Sequence, residues 1–298
     1  MTSLKDKVQN ALDEARMLIL GMEVLLGFQF RAVFQPGFEK LPITLRYTQL
    51  IALCLLLMVL GLLLTPGSFH RIVARGEDTD QLHRTTTRVM DIALLPFSLA
   101  LGLQIFSSTS GLLGLGPSLA VGGGAFLVAG GFWYGWELLA EKHPQEEEQM
   151  AAGETELKDK IKQVLTEARV MLPGAQALLG FQLIIFLMEG FQVLPGGLKY
   201  VHLVSLLLVA LAVILLMTPA AYHRMVEKGE NSEHFHRIAG RLLIAAMIPF
   251  ALGVSGDFYL VIQKVSNSTA LGLLGGCCSL GMMAFLWFVY PISARSAS

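Results

Sequence analysis

The second half of this chain repeats the first. The run HRIVARGEDTDQLHR, His70 to Arg84, returns as HRMVEKGENSEHFHR, His223 to Arg237, 153 positions later. The same offset carries Leu4 to Leu157 in LKDK, Glu14 to Glu167 in EAR, Leu25 to Leu178 in LLGFQ and Thr65 to Thr218 in TP. A fixed offset held over so many landmarks means one structural unit used twice. Whatever residues 1–150 fold into, an acidic linker included, residues 151–298 are expected to fold into again.

The apolar runs say what the unit is. Charged residues make up 15% of the 298, against about 25% in soluble domains, and mean hydropathy is +0.59. The missing charge leaves runs of the length that crosses a bilayer as a helix. The expected fold is all-α: a polytopic membrane helix bundle with eight transmembrane helices, arranged as two parallel four-helix repeats. A net charge of −1 offers no basic field for nucleic acid. Cys54, Cys277 and Cys278 lie within apolar runs, without ligand spacing, and read as small packing residues.

Leu4 to Ala15 places Leu4, Val8, Ala11, Leu12 and Ala15 on one face, and Leu157, Ile161, Val164, Leu165 and Ala168 repeat the pattern. Both segments are expected as amphipathic interfacial helices. The first span, Met17 to Phe34, carries Glu23, Gln29 and Arg31. Charged side chains near a bilayer centre cost about 2.5–3.5 kcal/mol on insertion scales, so such a stripe should face protein or water. In the second unit Gln176 replaces Glu23 and Ile184 replaces Arg31, while Gln182 keeps the place of Gln29.

The second and sixth spans are Leu45 to Leu64 and Val201 to Met217. Thr65-Pro66 and Thr218-Pro219 then read as an N-cap with proline at the first helical position, starting a short helix that stops at Gly76 or Gly229. Asp78 and Asn231 can cap the helix that follows. Pro96 and Pro249 interrupt the third and seventh spans. In the outer spans, Gly131-xxx-Gly135 and Gly272-xxx-Gly276 are small-residue pairs that allow close helix packing. Glu141 to Glu156 is a polar linker.

Lys and Arg cluster before the first span and in the loops at 70–88 and 223–241, which puts both termini and both repeated loops in the cytoplasm. Four spans per unit is an even number. The two units should therefore share one orientation and be related by an axis along the membrane normal.

The run EARMLILGMEVLLGFQFRAVFQPGF, followed by TPGSFHRIVARGE, resembles an uncharacterised family of small bacterial four-helix membrane proteins. Glu14, Arg16, Gly21, Leu25, Phe28, Thr65, Pro66, His70 and Arg71 carry the resemblance. Glu167, Arg169, Gly174, Gln176, Leu179, Phe181, Thr218, Pro219, His223 and Arg224 carry it again. This chain departs from the pattern in holding two fused copies, and Glu23 where the family tends to have Gln. The resemblance implies a bacterial inner membrane.

The repeated loops hold the densest chemistry: His70, Arg71, Glu77, His83 and Arg84, then His223, Arg224, Glu230, His236 and Arg237. A spacing of thirteen between the histidines is no metal-ligand motif. The His-Arg pairs are expected to meet anionic lipid headgroups, with Glu77 and Glu230 bridging to fix the turn. No span is read as carrying a histidine at mid-membrane depth, and buried charge looks scarce. No nucleophile elbow, phosphate loop or metalloprotease motif is present, so no enzyme is expected, and the residues assign no cofactor. Three readings stay open. The leading one is a structural or accessory membrane protein, a subunit of a larger membrane complex beside other membrane proteins, and the other two are alternatives to it. The chain could be a proton- or cation-coupled carrier or channel lined by the first helix of each unit. It could be a pH or lipid sensor working through the loops.

Overall fold

A computed structural model describes residues 4–74, 77, 79–139, 157–225, 227 and 232–296. Every element among them is helical. The first unit comprises α1 (Leu4–Ala32), the one-turn α2 (Pro36–Glu39), α3 (Ile43–Ile72), α4 (Asp80–Leu113) and α5 (Leu115–Leu139). The second comprises α6 (Leu157–Ile185), the one-turn α7 (Glu189–Gln192), α8 (Gly196–Met225), α9 (Glu233–Ser266) and α10 (Thr269–Ala284). A π-helical turn at Phe285–Val289 joins α10 to α11 (Tyr290–Ser296). The acidic linker, Glu230, and the cap candidates Asp78 and Asn231 lie outside the described residues.

Seven helices are long and apolar enough to cross a membrane, within 43–72, 80–113, 115–134, 159–185, 196–223, 233–266 and 269–295. The eighth expected span, on α1, is not among them. The amphipathic segment and the first span form one helix, so α1 holds the charges of both, while its counterpart α6 has lost Glu23 and Arg31 to Gln176 and Ile184. The two amphipathic segments expected at the interface are therefore the first turns of α1 and α6, not separate helices.

The proline reading also changes. Pro66 does not begin a short helix; it lies inside α3, as Pro219 lies inside α8. The Thr65 hydroxyl donates to Gly61 O at 2.9 Å instead of capping, and Ser68 Oγ donates to Thr65 O at 2.8 Å. Hydroxyls can support the backbone beside a proline in this way when the surroundings are apolar. The caps fall one residue late. Thr79 Oγ1 accepts from Leu82 N at 3.2 Å, and Ser232 Oγ, at the equivalent place, accepts from Phe235 N at 3.0 Å. The reversal between α4 and α5 takes a single residue, Gly114 at φ +76°; its counterpart Asn267 is at φ +53°. Glycine and asparagine are the residues that enter this region at least cost.

The two units meet along α1 and α6. Glu23 lies against Gly174, Phe28 packs on Phe181 with ring centroids 4.7 Å apart, and Phe34 meets Phe191 at 6.3 Å. These contacts advance in the same direction along both helices, so α1 and α6 run parallel. Phe181 holds in the second unit the place that Phe28 holds in the first. A second seam joins α3 to α10 and the π turn, where Trp287 is fully buried and donates its indole N–H to Gly61 O at 2.8 Å. A Cβ at Gly61 would come within 3.1 Å of the side-chain ends of Met282 and Leu286, so the two helices approach closely there.

The packing glycines only partly match expectation. Gly272 and Gly276 do seat α10 on α9, against Tyr259. Gly131 has open space around it, and the surroundings of Gly135 lie outside the described residues. The tight contact in the first unit is made by Gly122 on α5 against Phe106 and Gly102 on α4. The cysteines are exposed rather than packed inside. Gly122→Leu is therefore expected to lower the thermal midpoint in mild detergent by overpacking, about 1–3 kcal/mol. Gly131→Leu should leave it within a degree or two, and equal losses would contradict this packing.

Candidate functional site

Polar groups gather at three levels along α6. The first is at the end of the bundle that carries the repeated loops. Glu167 is buried on α6 and receives two groups from the end of α3: His70 Nδ1, in close contact with Oε1, and Arg71 Nε, which donates to Oε2 at 2.5 Å. Arg71 Nη1 also lies 3.2 Å from His236 Nε2 on α9. Lys160 of α6 pairs with Glu77. The EAR motif of the second unit is thus clasped by the His-Arg motif of the first.

This corrects the lipid-facing reading of the loop residues. His70 is 0% exposed and the Arg71 side chain 4%, because a buried carboxylate on the neighbouring unit draws both inward. Glu77 also reaches across to Lys160 of α6. Arg84 does stay outside, paired one turn back with Asp80 at 2.8 Å, and Arg237 is exposed. His83 is half-buried with its Nδ1 unpartnered, and the His223 ring packs at a tilt against Phe235, centroids 4.6 Å apart. The Arg224 side chain lies outside the description. The mirror-image clasp would set Glu14 against His223, yet Glu14 is exposed.

The second level is Glu23. Its side chain is 1% exposed, both carboxylate oxygens lack a hydrogen-bond partner, and it fills the space that a side chain at Gly174 would need. Its counterpart Gln176 is exposed, with only a 3.9 Å contact to Met217 Sδ. Arg31 is half-buried with an unpartnered Nε.

The third level lies toward the other end of the bundle. Gln182 Nε2 donates to Asp257 Oδ2 at 2.6 Å, His202 Nδ1 lies 2.8 Å from Asp257 Oδ1, and His202 Nε2 lies 3.0 Å from Gln182 O. His202 is 0% exposed and Asp257 3%. The rings of Phe186 and Phe191 pack on the imidazole at 4.9 and 5.3 Å. A backbone carbonyl can only accept, so Nε2 carries hydrogen and donates to Gln182 O. The bond to Asp257 then holds one further proton, as imidazolium with carboxylate or as imidazole with carboxylic acid. The pair is electrically neutral in either form, which lowers the cost of burying it.

The first unit builds the same place from uncharged groups. Gln29, Gln49 and Gln104 stand where Gln182, His202 and Asp257 stand in the second. Gln29 Nε2 donates to Gln49 O at 2.9 Å and approaches Gln49 Oε1 at 2.5 Å, and Gln49 Nε2 donates to Ser107 Oγ at 3.0 Å. The expectation of little buried charge is thus overturned by Asp257 in α9 with Glu23 and Glu167, and the buried His202, one turn or two from the start of α8, is not among the residues singled out in the sequence. The 153-residue offset that links Gln29 to Gln182 also links Gln49 to His202 and Gln104 to Asp257, and is the sequence signal for both.

Outside the spans, Lys264 donates to Glu39 Oε1 at 2.8 Å and holds that carboxyl below its ordinary range. A lowered carboxyl stabilises the fold above the unfolded-state value and loses that contribution as pH falls through the folded one. Glu39 is mostly exposed, so the effect is small.

Two variants test the clasp and the wedge. Glu167→Gln leaves Arg71 buried without its charge partner and is expected to cost about 3–5 kcal/mol, where Glu14→Gln stays within about 0.5 kcal/mol. Thermal unfolding of both in mild detergent decides it, and equal midpoints would refute the clasp. Gly174→Ala should destabilise by displacing Glu23, and adding Glu23→Ala should restore part of the loss; strict additivity would mean the two sites do not touch.

No curated protein and no solved structure matches this chain. A family model does match, over residues 3–137 and again over 153–291, and its description is a family of unknown function. The two matches coincide with the two units that pack along α1 and α6, and the chain therefore belongs to that family (DUF6328) as two tandem copies.

Proposed function

We propose that the protein is a proton-coupled membrane carrier whose proton-handling groups lie along α6. One observation carries this reading: three buried carboxylates stand at successive levels on or against that helix. Glu167 is seven residues before Gly174, where Glu23 enters, and Gln182, which binds Asp257, is eight residues after it. At the rise of an α-helix these levels are about 10 and 12 Å apart. Buried ionisable groups are costly in a membrane protein, and where they persist they mark proton or substrate paths.

Each level has a distinct part. Glu167, with His70 and Arg71, forms the charged mouth at the loop end. Glu23 is the intermediate station, without the donors that hold the other two carboxylates. The His202–Asp257 pair stores one proton. Losing it leaves the neutral imidazole one hydrogen for two acceptors, so either the contact to Asp257 at 2.8 Å or the contact to Gln182 O at 3.0 Å is broken, which loosens the hold on α6. Protonation is thereby coupled to the packing of α6, α8 and α9. The loop end faces the cytoplasm of a bacterial inner membrane, and the parallel course of α1 and α6 supports two units sharing one orientation.

Reconstituted liposomes carrying a pH-sensitive dye and an imposed pH gradient test this reading. Wild-type protein should dissipate the gradient faster than empty liposomes. Glu23→Gln and Asp257→Asn should each slow it at least tenfold while the protein stays monodisperse. Wild-type flux no greater than that of empty liposomes would remove the proposal.

An accessory-subunit role is the second reading, favoured by α5. Its outer face exposes Leu119, Leu127, Val128 and Phe132 around the open glycines Gly130 and Gly131. Purification from native membranes in mild detergent separates the two: a stoichiometric membrane-protein partner supports the subunit role.

A further inference from the structure

Between the end of α3, the start of α4 and the π turn runs a half-open groove of about 580 Å³. Its lining changes character along its length. At the loop end α4 contributes Gln81, Arg84, Thr85 and Arg88; deeper in, the walls are Ile92 of α4 with Phe285 and Leu286. Arg84 to Ile92 is eight residues of helix, about 12 Å of rise. The gradient from cationic to apolar is therefore long enough to match a headgroup and the first part of an acyl chain. Asp80 engages Arg84 through Nε, which leaves the other guanidinium N–H groups to a ligand.

The π turn shapes this groove. Phe285–Val289 buries Trp287 against α3 while Phe285 remains exposed and Tyr290 stays at the rim. An extra residue in a helix turn re-aims the side chains around it, and such turns concentrate at functional sites. Tyr290 in turn packs on Phe69 at 6.0 Å, which ties the groove wall to the helix end that carries His70 and Arg71.

We propose that this groove is a binding site for one anionic phospholipid. The phosphate is held by Arg84 and Arg88 with Gln81 and Thr85, and an acyl chain lies along Ile92, Phe285 and Leu286. Charge complementarity selects an anionic over a zwitterionic headgroup, and the apolar floor selects a lipid over a free phosphate. The site does not depend on the proton-carrier reading, since it uses none of the carboxylates along α6.

Native mass spectrometry of the full chain in mild detergent, titrated with dioleoyl phosphatidylglycerol, tests the proposal. Wild type should retain phosphatidylglycerol at least tenfold more tightly than phosphatidylcholine with the same chains. Arg84→Gln with Arg88→Gln should abolish that preference. Arg237→Gln with Arg241→Gln, the equivalent positions in the second unit, should leave it intact. Ile92→Trp, which keeps both arginines but fills the floor, should also weaken binding at least tenfold. Three results would each overturn the assignment: unchanged binding in the Arg84/Arg88 variant, equal loss in the Arg237/Arg241 variant, or equal competition by sn-glycerol 3-phosphate, which has the headgroup charge without the chains.

Discussion

The buried carboxylate of Glu167, held by His70 and Arg71, is the contact on which the arrangement of the two units rests. Charged groups removed from water are tolerated when every one is matched, and here one acid meets a ring nitrogen and a guanidinium from a different unit. That requirement specifies partners in a way that apolar packing cannot. Leucine faces slide over one another at little cost, whereas an unmatched Arg71 or Glu167 inside the bundle is severely penalised. The clasp sets the register of α6 against α3, and the seam of Glu23 on Gly174 and Phe28 on Phe181 follows along the same helix.

The two units share a backbone plan and differ in chemistry. The first has Gln29, Gln49 and Gln104 where the second has Gln182, His202 and Asp257, so glutamines joined through Ser107 stand in one unit where a buried His–Asp pair stands in the other. Where the first unit has Glu23, buried and without a hydrogen-bond partner, the second has the exposed Gln176. Gly61 admits Trp287 to the first unit's second helix, while Ile214 fills the same place in the second and is exposed. A duplicated chain is free to divide labour in this way, because each place needs its side chain in only one copy. The resulting asymmetry puts the Glu167 clasp at one end of α6 and the His202–Asp257 pair toward the other.

Much of the architecture is written in local pattern. The 153-residue offset predicts two like units, and the long apolar runs predict membrane helices. The small-residue pair on α10 predicts close packing that the Gly272 and Gly276 contacts with Tyr259 display. The stripe on α1 also turns Glu23 and Gln29 inward. Local pattern misleads where a neighbour competes with it. Pro66 looks like a helix start, yet apolar packing and the Thr65 hydroxyl carry α3 through it. His70-Arg71 looks like a surface pair, yet Glu167 buries it.

The sequence by itself determined the repeat, the helical class and the membrane-like character, since these depend on periodicity and composition within single segments. Which ionisable side chains meet was decided only in the tertiary structure. Glu167 lies 97 positions from His70, and Asp257 lies 55 from His202. Nothing local links such partners, and what selects them is the cost of leaving a buried charge or hydrogen-bonding group unmatched once the helices have packed.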